Sequence, residues 1–122
     1  MSFELQLASI SPARIQLTLH GWLEAGDLAA ISARFLDICT QSDCTEVLYD
    51  IRSYVGRPSL DTGFHVASAL PHWARSISVA FVDDSAWNHY ADYMQRLYGE
   101  MGFKVSFFVD VEAATRWLDQ QS

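Results

Sequence analysis

Apolar residues alternate with polar ones through "FELQLASI", where Phe3, Leu5 and Leu7 fall on one side, and again through "RIQLTLHGW", where Ile15, Leu17 and Leu19 do. A period of two predicts strands with one buried face. "SPAR" between them predicts a tight connection, hence an antiparallel hairpin, with Gly21 ending its second strand. From Glu24 the period lengthens. Leu28, Ile31, Phe35 and Ile38 mark a helical stripe, Asp27 is a first-turn acid, and the polar "TQSDCT" closes the element. "EVLYDI" is an apolar run behind a helix, which predicts a central parallel strand covered on both faces. A second helix is expected from Pro58 or Ser59, with Leu60, Phe64, Ala67 and Leu70 inward and Pro71 as its stop. "SISVAFV" reads as the next buried strand and "DDS" as a helix start. A third amphipathic helix carries Trp87, Tyr90, Ala91, Met94, Leu97, Tyr98 and Met101, with Gly102 as its C-terminal cap. "KVSFFV" is the last strand. "DVEAATRWLDQQ" is a closing helix expected to pack Val111, Ala114, Trp117 and Leu118.

The order β-β-α-β-α-β-α-β-α predicts an α/β domain with right-handed crossovers. The sheet is mixed and mostly parallel, with one antiparallel outer strand and the helices packed on it. No repeat, linker or low-complexity tract interrupts residues 1–122, so a single domain is expected. The formal net charge is −7, which removes any general attraction to nucleic acid or anionic lipid. Arg52, Arg57 and Arg75 remain as members of a local basic patch. Cys39 and Cys44 match no zinc spacing and read as two free thiols of a reducing compartment. No leader-like or membrane-spanning run is visible, so a cytoplasmic location is expected.

The stretches "RIQLTLHGWLEAGDL", "EVLYDIRSY", "ISVAFVDDSAWNHY" and "VSFFVDVEAATRWL" together resemble the STAS domain of anti-sigma-factor antagonists. More closely they resemble its SpoIIAA-like branch, which has CRAL-TRIO-like relatives. The resemblance spans nearly the whole chain and implies a scaffold more than a task. It implies a non-enzymatic regulatory or binding module that engages a protein partner. In such antagonists a serine before a glycine, after the third strand, is phosphorylated. Here "LDTG" is the nearest counterpart, which makes Thr62 a candidate phosphoacceptor and Ser59 a second one. The plainer reading is that Ser59, Asp61 and Thr62 cap a helix.

Two alternatives stay open. The first is a carrier of a small apolar ligand or lipid, held between the second and third helices and the sheet. Tyr54, Phe64, Trp73, Trp87, Tyr90 and Met94 are its candidate pocket residues, and Arg52 and Arg57 could meet an anionic group. The same rings could simply complete the core. The second is an enzyme using Asp50, Asp83, Asp84 and Asp110, which follow the inner strands at one sheet edge, where α/β folds place ligands. Carboxylates gathered there could hold Mg²⁺, but Asp84 and Asp110 also suit N-caps. His20, His65, His72 and His89 stand at no ligand spacing. No catalytic residue, metal or cofactor is assigned. Transient membrane contact and a homodimer through an exposed helix face are compatible with this reading.

Overall fold

A computed structural model describes residues 2–121. The hairpin pairs β1 (Phe3–Ser9) with β2 (Arg14–Trp22), antiparallel, setting Leu7 opposite Leu17 and Leu5 opposite Leu19. Helix α1 (Asp27–Ser42) then crosses over to β3 (Glu46–Asp50), which lies parallel to β2. After a break the chain returns to β2 as a two-residue strand, β4 (Tyr54–Val55). Helix α2 (Leu60–Ser68) and a 3-10 turn (His72–Ser76) lead to β5 (Ser78–Val82). A second 3-10 turn (Ser85–Trp87) precedes α3 (Asn88–Glu100), β6 (Lys104–Phe108) and α4 (Val111–Gln121). The sheet order is β1-β2-β3-β5-β6, with β4 added beside the end of β2. Only the β1–β2 pairing is antiparallel.

The expected architecture is therefore observed, including the antiparallel outer strand. Strand β3 is buried on both faces, as a central parallel strand must be. One face packs Leu17, Tyr49 and Val79 against Ile31 and Ile38 of α1, with α2 and α3 on the same side. The other face packs Leu48, Ala80 and Val82 against Ala114 and Leu118 of α4. No helix among the described residues is long and apolar enough to cross a membrane. Cys39 and Cys44 are both buried as free thiols.

Four expectations need correction. The strand β4 was not anticipated, because two residues are too few to show a period. Val111 is exposed, since α4 presents Ala114 and Leu118 to the sheet and turns its first residue outward. The inner side of α2 is rotated. Leu60 and Phe64 face outward at 44% and 42% exposure, while Gly63 and Ala67 are buried. The reason is contact distance. At Gly63 even a methyl group would approach Met94 Sδ to 2.8 Å, so α2 meets α3 through its smallest residues. Helix starts also shift: α1 begins at Asp27 behind Gly26, and Trp87 closes the 3-10 turn ahead of α3.

Gly21 lies inside β2, with β1 on one side and β4 on the other. Its φ is +121°, and a Cβ there would meet the Ser2 carbonyl oxygen at 2.1 Å. The added carbon would collide with the backbone of β1's start, which cannot swing aside as a flexible side chain can. Gly21→Ala is expected to cost about 2 kcal/mol or more of stability, from strain of the kind that costs about 1–3 kcal/mol per residue plus the clash. Urea unfolding measures it, and a loss below about 0.5 kcal/mol would contradict the strained placement.

Candidate functional site

The loop between β3 and α2 carries the most polar chemistry at the C-terminal edge of the sheet. Its shape follows from the broken strand. After Asp50 the chain leaves β2, the Ile51 N–H still donates to the Val82 carbonyl at 2.9 Å, and Tyr54 rejoins β2 opposite Gly21. The guanidinium of Arg57 closes the break from within. Nη2 donates to the Ile51 carbonyl at 2.8 Å, and Nη1 donates to those of Tyr54 at 2.8 Å and Gly56 at 2.5 Å. Nε and Nη2 reach the two carboxylate oxygens of Asp83 at 3.1 and 2.5 Å. Every N–H of the group is thereby used. The Arg57 and Asp83 side chains are only 4% and 3% exposed, and Arg57 also lies 5.1 Å over the ring of Trp87.

This arrangement corrects the reading of Arg57 as an anion-binding residue. Its charge is buried, paired and fully hydrogen-bonded inside its own loop. Arg52 is more exposed but holds Asp50 in a bidentate pair, at 3.0 and 2.8 Å. Burial works against the Asp50 carboxylate, yet the hydrogen bonds from the Arg52 side chain and backbone outweigh it and hold its pKa below the ordinary value. Arg75 turns away, donating to the Met101 carbonyl and lying over Phe103, so the three arginines form no patch.

The other edge acids also serve structure. Asp84 accepts from the Ala86 N–H and opens the turn before α3. Asp110 accepts from the Ala113 N–H at the start of α4. Asp83 accepts from the Asp84 N–H besides holding Arg57. Among the described residues no three His, Cys, Asp or Glu side chains gather in a metal-holding group. At the start of α2, Ser59 Oγ accepts from the Thr62 N–H at 3.2 Å and donates to Thr62 Oγ1 at 2.9 Å. Both residues are exposed.

Beneath α2 lies an apolar cavity of about 130 Å³, bounded by α1, α2, α3 and the sheet. The candidate pocket residues divide around it. Tyr54 and Tyr90 line it, and Tyr49 and Tyr98 join them. Met94 sits instead in the α2–α3 contact, and Trp87 lies under Arg57. Phe64 and Trp73 face outward. Tyr49 escaped notice because it reads as one apolar member of a buried strand. Its role comes from cross-strand register, which aligns Tyr49, Phe81 and Phe107 in one row. Those rings stack at 4.9 and 4.7 Å, and Phe35 of α1 extends the stack at 5.5 Å. Burial pushes the Tyr98 phenol up to about 12 and raises those of Tyr49 and Tyr90 further.

No protein-family model matches the chain, and no curated protein does. Solved structures do. An anti-sigma factor antagonist from Mycobacterium paratuberculosis superposes with a TM-score of 0.62 at 9% identity, covering 97% of this chain and 95% of that one. An uncharacterized protein with a SpoIIAA-like fold from Shewanella loihica gives 0.61 at 16% identity, covering 96% and 93%. The anti-sigma factor antagonist SpoIIAA in its unphosphorylated form gives 0.51 at 14% identity, covering 93% and 96%. The fold is thus SpoIIAA-like over essentially the full length.

Two outcomes follow from the site. Removing one partner of a buried ion pair leaves an uncompensated charge, so Asp83→Ala is expected to cost about 3–5 kcal/mol. Arg52→Ala, at an exposed pair, should cost no more than about 1 kcal/mol. Urea unfolding of both variants checks this, and equal losses would refute the assigned importance of Arg57 and Asp83. The second outcome concerns alkaline pH. An unfolded tyrosine ionises near pH ~10, whereas folded Tyr98 keeps its proton until about 12. Above ~10 the unfolded state binds fewer protons, so stability is full below that pH and declines as pH rises through this window. Unfolding curves across the window should show the fall, and Tyr98→Phe should make it shallower.

Proposed function

We propose that this chain is a non-enzymatic regulatory module of the STAS type that works by binding a protein partner. The observation that carries the reading is the first turn of α2. There the exposed hydroxyls of Ser59 and Thr62 stand beside the outward side chains of Leu60 and Phe64. Large apolar residues turned partly to water one helical turn apart fit a contact surface. Two of the structures that share the fold are named as anti-sigma factor antagonists, which supports the same direction. The use of the edge carboxylates as caps and ion-pair members favours binding over catalysis at that edge.

A hydroxyl at this helix start suits regulation by phosphate. Thr62, with Ser59 as the second acceptor, would place a dianion where free backbone N–H groups and the helix dipole favour it. The fold would tolerate the modification, while the charge of the neighbouring apolar surface would change sharply. Partner affinity, and not stability, is then what the phosphate controls.

Affinity capture from the native cells, with wild type and a Leu60→Asp, Phe64→Asp variant, tests the proposal. The variant should lose a specific partner that wild type retains, with stability changed by less than about 1 kcal/mol as for other surface substitutions. Intact-mass analysis of the native protein should show a phosphorylated fraction that Thr62→Ala, or Thr62→Ala with Ser59→Ala, abolishes. A partner retained equally by the variant would place the contact surface elsewhere.

A further inference from the structure

The outer face of α2 leaves the cavity on its inner side unexplained. Helix α2 rests mainly on α3 and α1, so the sheet beneath it stays partly uncovered. Phe81 and Phe107, on inner and edge strands of the same face, are only half-buried although helices lie above them. Protein interiors are normally filled to crystal-like density, so an unfilled apolar volume here is informative.

The size sets the class of occupant. A cavity of about 130 Å³ is close to the engineered apolar cavity of about 150 Å³ that takes up benzene. It is well below the roughly 300–1,000 Å³ of pockets for drug-sized ligands, so a long acyl chain or a nucleotide does not fit. The walls set the character. Tyr49, Phe81 and Phe107 stack face to face along the strand register, at 4.9 and 4.7 Å. Rings stacked along the sheet turn their edges toward the helices. Ring edges carry partial positive charge and favour the face of another ring or a lone pair. Val66 of α2 and Leu70 just beyond its end, with Ile31 of α1, complete an apolar surround.

Among the described residues one fully buried side-chain polar atom lacks a partner. Tyr54 lines the cavity and is 6% exposed, yet its hydroxyl has no hydrogen-bond partner among the described residues. Buried hydroxyls are normally satisfied, and one without a partner on a cavity-lining residue offers a bond to a ligand atom. Arg57 also lines the space, but all its donors are taken and Asp83 neutralises it, so nothing there holds an anion.

We propose that this cavity is a binding site for a small neutral aromatic molecule, of benzene to phenol size, that hydrogen-bonds to the Tyr54 hydroxyl through a single oxygen. The site is distinct from the partner surface. Its walls exclude Leu60 and Phe64, so occupancy and partner capture can be tested separately.

The test is a titration of the isotope-labelled full chain with phenol, benzene and benzoate, followed by NMR of its aromatic signals. Phenol should produce saturable shifts in the rings of Tyr54, Phe81 and Phe107, and benzoate none. Tyr54→Phe should weaken phenol about three- to tenfold, the value of one hydrogen bond, and leave benzene unaffected. Ala74→Leu, which fills the cavity from its wall, should abolish both. Ser32→Leu, at another lining position on α1, serves the same purpose if Ala74→Leu does not fold. Leu60→Asp should leave phenol binding intact. The proposal is overturned if phenol gives no saturable shift in folded wild type, which would mean a closed or water-filled void. It is equally overturned if benzoate binds as well as phenol, if Tyr54→Phe retains full phenol affinity, or if a folded cavity-filling variant still binds.

Discussion

The ion pair between Arg57 and Asp83 is the constraint on which the C-terminal edge of this protein depends. Parallel strands normally continue their ladder until a loop carries the chain away, and here β3 breaks off early while β2 runs on. The carbonyls of Ile51, Tyr54 and Gly56 lie at that break, and all three are answered by the Arg57 guanidinium. A guanidinium can do this because it is flat and carries donors in several directions at once. A lysine offers no such fork. Burying its charge is tolerable only because Asp83 stands at the end of β5 with both oxygens engaged. One side chain thus joins the β3–α2 loop to the centre of the sheet.

That junction also decides what the loop does not do. Two arginines, a glycine and a proline near a helix start look from the sequence like a place for phosphate. In the folded chain Arg57 is spent on its own backbone, and Arg52 on Asp50. The polar residues that remain available at the start of α2 are the hydroxyls of Ser59 and Thr62 and the carboxylate of Asp61, and they sit beside exposed Leu60 and Phe64. Apolar side chains and hydroxyls are turned to solvent there, while the guanidinium of Arg57 is buried behind them.

The same helix has an inner side with a different character. Gly63 and Ala67 bring α2 against Met94 of α3, and this close contact holds it above the sheet. The stacked row from Phe35 through Tyr49 and Phe81 to Phe107 then forms a rigid floor. A roof supported by neighbouring helices and a floor of interlocked rings keep the space between them open. Tyr54, which lines that space, comes from β4, the element created by the break in β3. Strand interruption, buried arginine and cavity are therefore parts of one local solution to the backbone geometry.

Strong periodicity made the scaffold readable. The period-two runs around Leu5 and Leu17, the double-sided apolar run of β3 and the long stripe of α3 are set by residues close in sequence, so local physics suffices. The caps at Asp84 and Asp110 were legible for the same reason. A nine-residue helix such as α2 shows about two and a half turns, and its inner side was decided by which neighbour it met. There the space beside Met94 selected Gly63 over Phe64. The fate of Arg57 was also hidden, because Asp83 is far along the chain and only the parallel alignment of β3 with β5 brings the two together. Tyr49, Phe81 and Phe107 likewise become one row only in register. Local pattern determined the elements and their order. Long-range pairing alone decided which charges were buried, which face of α2 met water and where the core stayed open, because those outcomes depend on partners that no short window of sequence contains.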